Sequence, residues 1–436
     1  VTSVVSAVRR NVPSAPAEAP TTRFPIAAVD RLGAGGHVLS VFGPVALPSR
    51  EALVDALWRI ASLGPDARLG LRATGARDWA FTLEGLRERC ERMVVEAPEL
   101  EDVTAAEAIE LLVDRIEPGL PVLVLLAGER LLTVFDHGVV DARFTTRLPA
   151  TLIDVARGGD LPTWLSADNA GRPLWRAFVE TFAKHPSRVL TLLRARRVES
   201  SVVPVAEPVD RPVIDWTGST SVVAASGTRE SFRGLHTWLR RRDESVSFGA
   251  GAIVALRAAL AAEGLRLAAD SEMVYDVRGY LPSGTEVTGN FVTGVPVTGG
   301  DDLVAVDQSI AQTTDSGRPL AALMAGAVKE SLRPGRHESP DTTPAHARAH
   351  VVVSNLGVNR PLQSLPWIRD GRTIEAVSAV HPIAPETVAA QLVVLDGVLH
   401  ATVSYNDTTF DREAVERAVR SFVDDPVALL DGVVRR

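Results

Sequence analysis

An α/β fold in two lobes, each a mixed sheet with helices packed on it, is what the sequence predicts, on three observations. The chain has 436 residues, roughly two to three times the commonest domain size. Both halves interleave short β-rich runs with segments whose apolar residues recur at helical spacing, in similar proportion and without an exact internal repeat. Between the halves lies VVPVAEPVDRPVI at 202–214, with three prolines and no helical period, the best candidate for a linker. The expected division is a loosely ordered leader over 1–22, an N-terminal lobe over 23–200, a linker over 201–215 and a C-terminal lobe over 216–436.

Each element has a local reason. His37 to Leu47 is β-rich and ends at Pro48, where Ser49 can cap a helix carrying Leu53, Ala56, Leu57 and Ile60 on one face. A short hairpin region is expected over 65–82, a helix over 83–96, and another over 104–116 with Thr104 and Glu107 as its capping box. Leu120 to Leu126 and Arg130 to Phe135 read as a hairpin of buried strands, because both are short apolar runs bounded by turn residues. Helices are expected over 144–157 and 174–197. In the second half, strands are expected over 221–225, 273–277, 288–297, 350–354, 386–395 and 398–405, the last two joined by the turn Asp396-Gly397. Helices are expected over 229–241, 250–263, 303–316, 319–331 and 412–423, the last capped by Asp411.

Composition excludes several classes of function. Hydrophobic residues make up 46% and charged residues 23%, which rules out collagen, a long coiled coil and wholesale disorder. A net charge of −8 and a pI near 5.7 argue against nucleic acid or an anionic membrane as partner, since both need a concentrated basic patch. Cys90 is the single cysteine, so neither an intramolecular disulfide nor a Cys-rich zinc site can form, and a cytoplasmic setting is expected. No apolar run is long enough to span a bilayer, and Arg9 and Arg10 are followed by a Pro/Ala/Thr-rich stretch rather than a signal-peptide core.

Chemistry concentrates at His137 and Asp141, just beyond a buried strand in Asp136-His137-Gly138-Val139-Val140-Asp141-Ala142. A general base must titrate near neutrality and sit at the open end of a rigid element, and a histidine at a strand exit satisfies both. Two plainer arrangements of the same residues are a surface turn and a helical first turn bearing an i,i+4 His/Asp pair. Elsewhere the signals are thinner. His346 and His350 have zinc-helix spacing, but Ala347 stands where the glutamate belongs. Gly33-Ala34-Gly35-Gly36 lacks the preceding strand of a phosphate loop, and no GxSxG elbow exists. Trp58, Trp175 and Trp238 read as core or interface residues, and His185, His236 and His381 as ordinary histidines without an acidic partner.

The segment Phe135 to Phe144 resembles the HHxxxDG signature of the condensation-domain superfamily, which includes nonribosomal-peptide condensation domains, polyketide-associated acyltransferases and chloramphenicol acetyltransferase. Val277-Arg278 followed by Gly289-Asn290-Phe291-Val292 is similar to the family's later Arg plus GxFVN segment, and Ser354-Asn355-Leu356-Gly357 to its SNLG loop. Asp396-Gly397, Tyr405-Asn406 and Phe410-Asp411 are similar to its closing hairpin and helix. The resemblance covers about residues 24 to 430.

This resemblance implies two chloramphenicol-acetyltransferase-like lobes with a tunnel at their junction. It also implies acyl transfer from a thioester, on coenzyme A or a carrier-protein phosphopantetheine, to a small-molecule alcohol or amine in specialised metabolism. His137 would be the base, Gly138 would offer its N–H to the oxyanion, and Asp141 would pair with Arg278 rather than touch substrate. Asp136, Ser354 and Asn355 would line the substrate path, Asn290 would support the site, and no bound cofactor or metal is expected. Asp136 stands in place of the first His, Ala142 in place of the final Gly, and Thr293-Gly294 in place of Asn-Thr. The altered signature keeps two other readings open: a non-catalytic module that recruits a carrier protein or partner, and thioester hydrolysis with water as acceptor.

Overall fold

The computed structural model describes residues 21–435 apart from 75–76, 114, 116–118, 166, 168–171, 193–211, 242–245, 333–339 and 383. In chain order the strands are β1 (Thr22–Pro25), β2 (His37–Gly43), β3 (Arg72–Ala73), β4 (Asp78–Phe81), β5 (Val94–Glu96), β6 (Val122–Ala127), β7 (Arg130–Asp136), β8 (Val213–Asp215), β9 (Ser221–Ser226), β10 (Ser271–Asp276), β11 (Val292–Val297), β12 (Thr342–Pro344), β13 (His350–Val358), β14 (Glu375–Val380), β15 (Thr387–Leu395) and β16 (Val398–Tyr405). One five-stranded sheet runs β14-β2-β7-β6-β5 and one six-stranded sheet runs β11-β10-β13-β15-β16-β9. Each is mixed, and each anchors one lobe.

The N-lobe sheet is covered on both faces, which is why its central strand reads as a continuous apolar run. Leu131 and Phe135 of β7 join Val38 and Phe42 of β2 beneath the helices Arg50–Ala61 and Ala142–Ala156. Leu132 and Val134 join Leu39 and Val41 on the opposite face, against the helix Ala105–Val113. The C-lobe sheet buries only one face in this way. Val351 and Val353 of β13 and Val388, Ala390, Leu392 and Val394 of β15 pack under the helices Phe248–Ala262 and Arg412–Asp424. Strand alternation sends His350, Val352 and Ser354, with Thr387, Ala389 and Gln391, the other way, toward the N-lobe.

The lobes are not two consecutive stretches of chain. β14, from within the expected C-terminal lobe, pairs antiparallel with β2 and forms the edge of the N-lobe sheet, with Glu375 opposite Gly43 and Val380 opposite Val38. Leu362, Leu365 and Trp367 likewise enter the N-lobe core. The boundary at 216 is therefore corrected: the second half returns a strand to the first. The linker expectation falls mostly outside the described residues, although Val213–Asp215 forms a two-stranded ribbon with Thr342–Pro344. The leader, apart from its last two residues, also lies outside them.

Other boundaries shift for physical reasons. The helix expected over 83–96 stops at Met93, where Val94–Glu96 turns extended to pair in parallel with β6. The helix expected over 174–197 is interrupted: Pro173–Phe178 runs into a π-helical turn at Val179–Ala183, helix resumes over 187–192, and 193–197 lie outside the described residues. Residues 288–291 are not strand but a buried loop before β11. A further helix, Pro426–Val434 capped by Asp425, follows the one expected to close the chain.

Candidate active site

His137 leaves the end of β7 on a turn that its neighbours close tightly. Val139 N–H donates to Asp136 O at 2.9 Å, and Asp141 then caps the helix Ala142–Ala156 by accepting from Arg143 N–H at 3.2 Å. The motif is thus a strand exit followed by a helix cap. Ala142 is the first helical residue and has no positive φ, so a side chain is accommodated where the family's glycine would stand.

Three contacts orient the imidazole. Its Nδ1 lies 3.1 Å from Val140 O, and because a carbonyl only accepts, Nδ1 carries the proton and Nε2 keeps its lone pair. The backbone is held on both sides: His137 N–H donates to Gly36 O at 2.9 Å, and Asn290 Nδ2–H donates to His137 O at 2.5 Å. Gly33 explains the glycine run that preceded β2. A Cβ there would lie 2.5 Å from His137 O and 3.1 Å from Nδ1, so the run serves close approach to this loop rather than phosphate.

Asp141 is fully buried, and its Oδ2 takes both Arg278 Nη1 at 2.8 Å and Phe291 N–H at 2.9 Å. Arg278 reaches further, donating to Val287 O at 3.0 Å and Gly289 O at 2.7 Å. Asp141 and Arg278 therefore tie the helix cap of one lobe to the 287–291 loop of the other, away from any ligand space.

Two expected contributors behave differently. Gly138 N–H donates to Asp136 Oδ1 at 2.7 Å, so the donor expected to meet an oxyanion is occupied inside the turn. Asp136 in consequence closes the loop instead of lining a substrate path. Burial pushes its carboxyl above the usual range, against the opposing pull of Gly138 N–H, His37 and His137.

His137 opens on a chamber of about 340 Å³ between the lobes, walled by Val38, Val274, Val292, Val352, Val380 and Ala389. Its polar lining includes Ser354, Gln391, His381 and, toward one end, Glu272 with His350, whose Nε2 lies 3.6 Å from Glu272 Oε2. A second chamber, about 420 Å³, shares Ala142, Val274, Val292 and Ser354 with the first. Its charged and amide lining is Arg143, Arg147, Arg360, Asp276, Asn355 and Asn359, with Asp276 3.7 Å from Arg143, so arginines outnumber the one carboxylate on its walls. Arg143 and Arg147 are held by Glu286, each at 3.2 Å. Asn355 also fixes its own loop, accepting from Gly357 N–H at 3.0 Å where Gly357 turns with φ +57°. An apolar chamber at the histidine thus adjoins a basic one at Ser354.

The sequence reading passed over four residues near this centre. Asp30 and Arg68 form a second buried ion pair at 2.8 Å, and Asp30 Oδ1 accepts Asn290 N–H at 2.9 Å. Gln391, opposite Ser354 in the parallel register of β13 and β15, lines the chamber with its amide oxygen unpartnered among the described residues. His381, read as ordinary, lines the chamber with His137. Nothing in local spacing could reveal these four, because each meets the site across the fold. Trp175 is exposed, against the expectation of core or interface, and lines a separate cavity with Met324. Among the described residues no group of three or more His, Cys, Asp or Glu could hold a metal ion, and no helix is long and apolar enough to cross a membrane.

No family model and no curated protein matches the sequence. Solved structures do match, over nearly the whole chain. The trichothecene 15-O-acetyltransferase of Fusarium sporotrichioides is 11% identical with a TM-score of 0.61, covering 95% of this chain and 96% of its own. The cyclization-docking bidomain of EpoB from Sorangium cellulosum is 14% identical with a TM-score of 0.59, covering 95% and 83%. The epimerization domain from the third module of tyrocidine synthetase B is 15% identical with a TM-score of 0.56, covering 97% and 99%. At these identities the likeness is one of fold: the chain has the two-lobed fold of condensation domains and acetyltransferases of the chloramphenicol-acetyltransferase type. An acetyltransferase, a cyclization domain and an epimerization domain share it, so chemistry has to be argued from the site.

Proposed function

We propose that this protein is an acyltransferase that moves an acyl group from a thioester to a hydroxyl or amine, with His137 as general base. The observation that carries the reading is the His137 imidazole itself: Nδ1 bound to Val140 O, Nε2 left as acceptor, the ring lining an apolar chamber. In the step this permits, the nucleophile's oxygen or nitrogen forms a bond to the thioester carbonyl carbon while its proton passes to Nε2. The tetrahedral intermediate then collapses, the C–S bond breaks, and the departing sulfur takes the proton back from Nε2. No covalent enzyme intermediate is required.

The apolar chamber suits an acyl or acceptor body, and the basic chamber, with Arg143, Arg147 and Arg360 on its walls, suits the phosphate-bearing arm of coenzyme A or of a carrier protein. Specialised metabolism is the setting suggested by the structural neighbours, among them a trichothecene acetyltransferase and an NRPS cyclization-docking bidomain. The test offers a panel of acyl groups on coenzyme A and on carrier protein to mixed small alcohols and amines, comparing wild type with His137→Ala. The expected result is product from wild type and a fall of roughly 10² or more in the variant. Equal rates in both would remove His137 as the base. Retained carrier-protein binding with no product on any donor would favour a recruiting module instead.

A further inference from the structure

The crossover strand delivers a second imidazole to the chamber. His381 follows Val380, the last residue of β14, and its backbone N–H reaches His37 O at 3.4 Å. On the next strand pairing His37 stands opposite Asp136, the residue before His137. His381, His37 and the His137 turn are therefore three neighbours along one end of the N-lobe sheet. With adjacent strands ~4.8 Å apart, His381 and the turn are about 10 Å apart in the backbone, a separation that two imidazoles can close onto one small group. Both line the same chamber, whereas the chain separates them by more than half its length.

His381 Nδ1 contacts Thr220 Oγ1, and because a hydroxyl both donates and accepts, the contact fits either ring tautomer. In one of the two, Thr220 O–H donates to Nδ1 and the ring proton sits on Nε2. Burial lowers the pKa of His381, which favours the neutral ring; His37 is the ionisable group next to it, and Asp136 and His137 in turn neighbour His37. The Nε2–H tautomer is the complement of His137: one ring presents an acceptor, the other a donor. Gly138 N–H is held by Asp136, which leaves an oxyanion to the polar side chains of the chamber, His381 among them with Ser354 and Gln391.

We propose that His381 is a second catalytic residue, whose neutral Nε2–H hydrogen-bonds the carbonyl oxygen of the acyl group as it becomes an oxyanion. This inference rests on the acyl-transfer reading. When the nucleophile adds and its proton moves to His137 Nε2, the carbonyl π electrons shift to oxygen, and His381 Nε2–H meets that charge without giving up its proton. When the C–S bond breaks, the electrons return to the carbonyl and the hydrogen bond relaxes. Thr220 is the positioning residue that holds the tautomer.

Two measurements on the full chain test this. First, steady-state transfer is compared for wild type, His381→Ala and His381→Gln on whichever acyl donor the wild type uses. His381→Ala is expected to lose roughly 10² in kcat with KM little changed, and His381→Gln, which keeps an N–H near the Nε2 position, to recover about ten-fold of that loss. Second, ¹⁵N chemical shifts of the histidine rings in the wild type at pH 7 report the tautomer whether or not the protein turns over. His381 is expected to be neutral with its proton on Nε2. An undiminished His381→Ala enzyme overturns the role while leaving acyl transfer by His137 intact, as does a proton on Nδ1 or a charged ring. Absence of product from the wild type on every donor overturns the reading and this role together, and the ring shifts then stand only as a description of the loop.

Discussion

Two buried ion pairs grip the same dipeptide from opposite sides, and they are built differently. Asp141 and Arg278 hold Phe291 N–H, and Asp30 and Arg68 hold Asn290 N–H. In the first pair the carboxylate also caps a helix, and the guanidinium bonds two further carbonyls, so nearly every polar atom is answered. In the second, the Arg68 guanidinium has among the described residues only its contact with Asp30, on a backbone of φ +68°, a conformation that residues other than glycine adopt rarely. The contrast teaches that the His137 turn is fixed by one well-satisfied anchor and one strained counterpart. The strained one is nearer His137, since Asn290 itself bonds the His137 carbonyl.

Replacing Arg278 by Met should have the largest effect, because it leaves Asp141 buried without a countercharge. A loss of about 3–5 kcal/mol is expected in urea unfolding, and a loss below about 1 kcal/mol would show that the pair is not a buried anchor. Asp30→Asn keeps an acceptor for Asn290 N–H but leaves the buried Arg68 charge without its partner, so a loss of about 3 kcal/mol, toward that of Arg278→Met, is expected in urea unfolding. A larger loss than for Arg278→Met would invert the ranking of the two anchors. Gly289→Ala should act first on that second pair, although Gly289 O also accepts from Arg278. A Cβ there would sit 2.2 Å from Arg68 Nη2 and 2.9 Å from Asp30 Oδ1, so the pair must move, with an expected loss of about 1–3 kcal/mol. If Asn290 transmits the shift, kcat should fall as well, and unchanged kcat would separate this pair from the loop.

The same contrast explains what could be read from the chain. Asp141 stands four residues from His137, so a local pattern exposes it, and the family's segments place Arg278, Asn290, Ser354 and Asn355 beside it. Asp30 and Arg68 have no such pattern, because they stand 38 residues apart and Asn290, whose N–H Asp30 accepts, lies 260 residues beyond Asp30. β14 escaped for a related reason. Its sequence EAVSAV is short and is closed by no diagnostic turn, and its pairing partner begins at His37. Without β14, His381 has no visible company. Helices were the most legible elements, since caps such as Thr104 with Glu107 and Asp411 act within one turn. The Gly138 expectation failed at the one position where Asp136 replaces the family's histidine, because a carboxylate accepts the N–H that an oxyanion was to receive.

The late strand also has a consequence for biosynthesis. When β2 emerges from the ribosome its outer edge has no neighbour, and the strand that covers it lies some 330 residues downstream. At about 5–20 residues per second that edge waits roughly 20 to 70 seconds, offering open N–H and C=O groups to any other nascent chain. The N-lobe can collect its helices during that interval but cannot finish its sheet until β14 has been made.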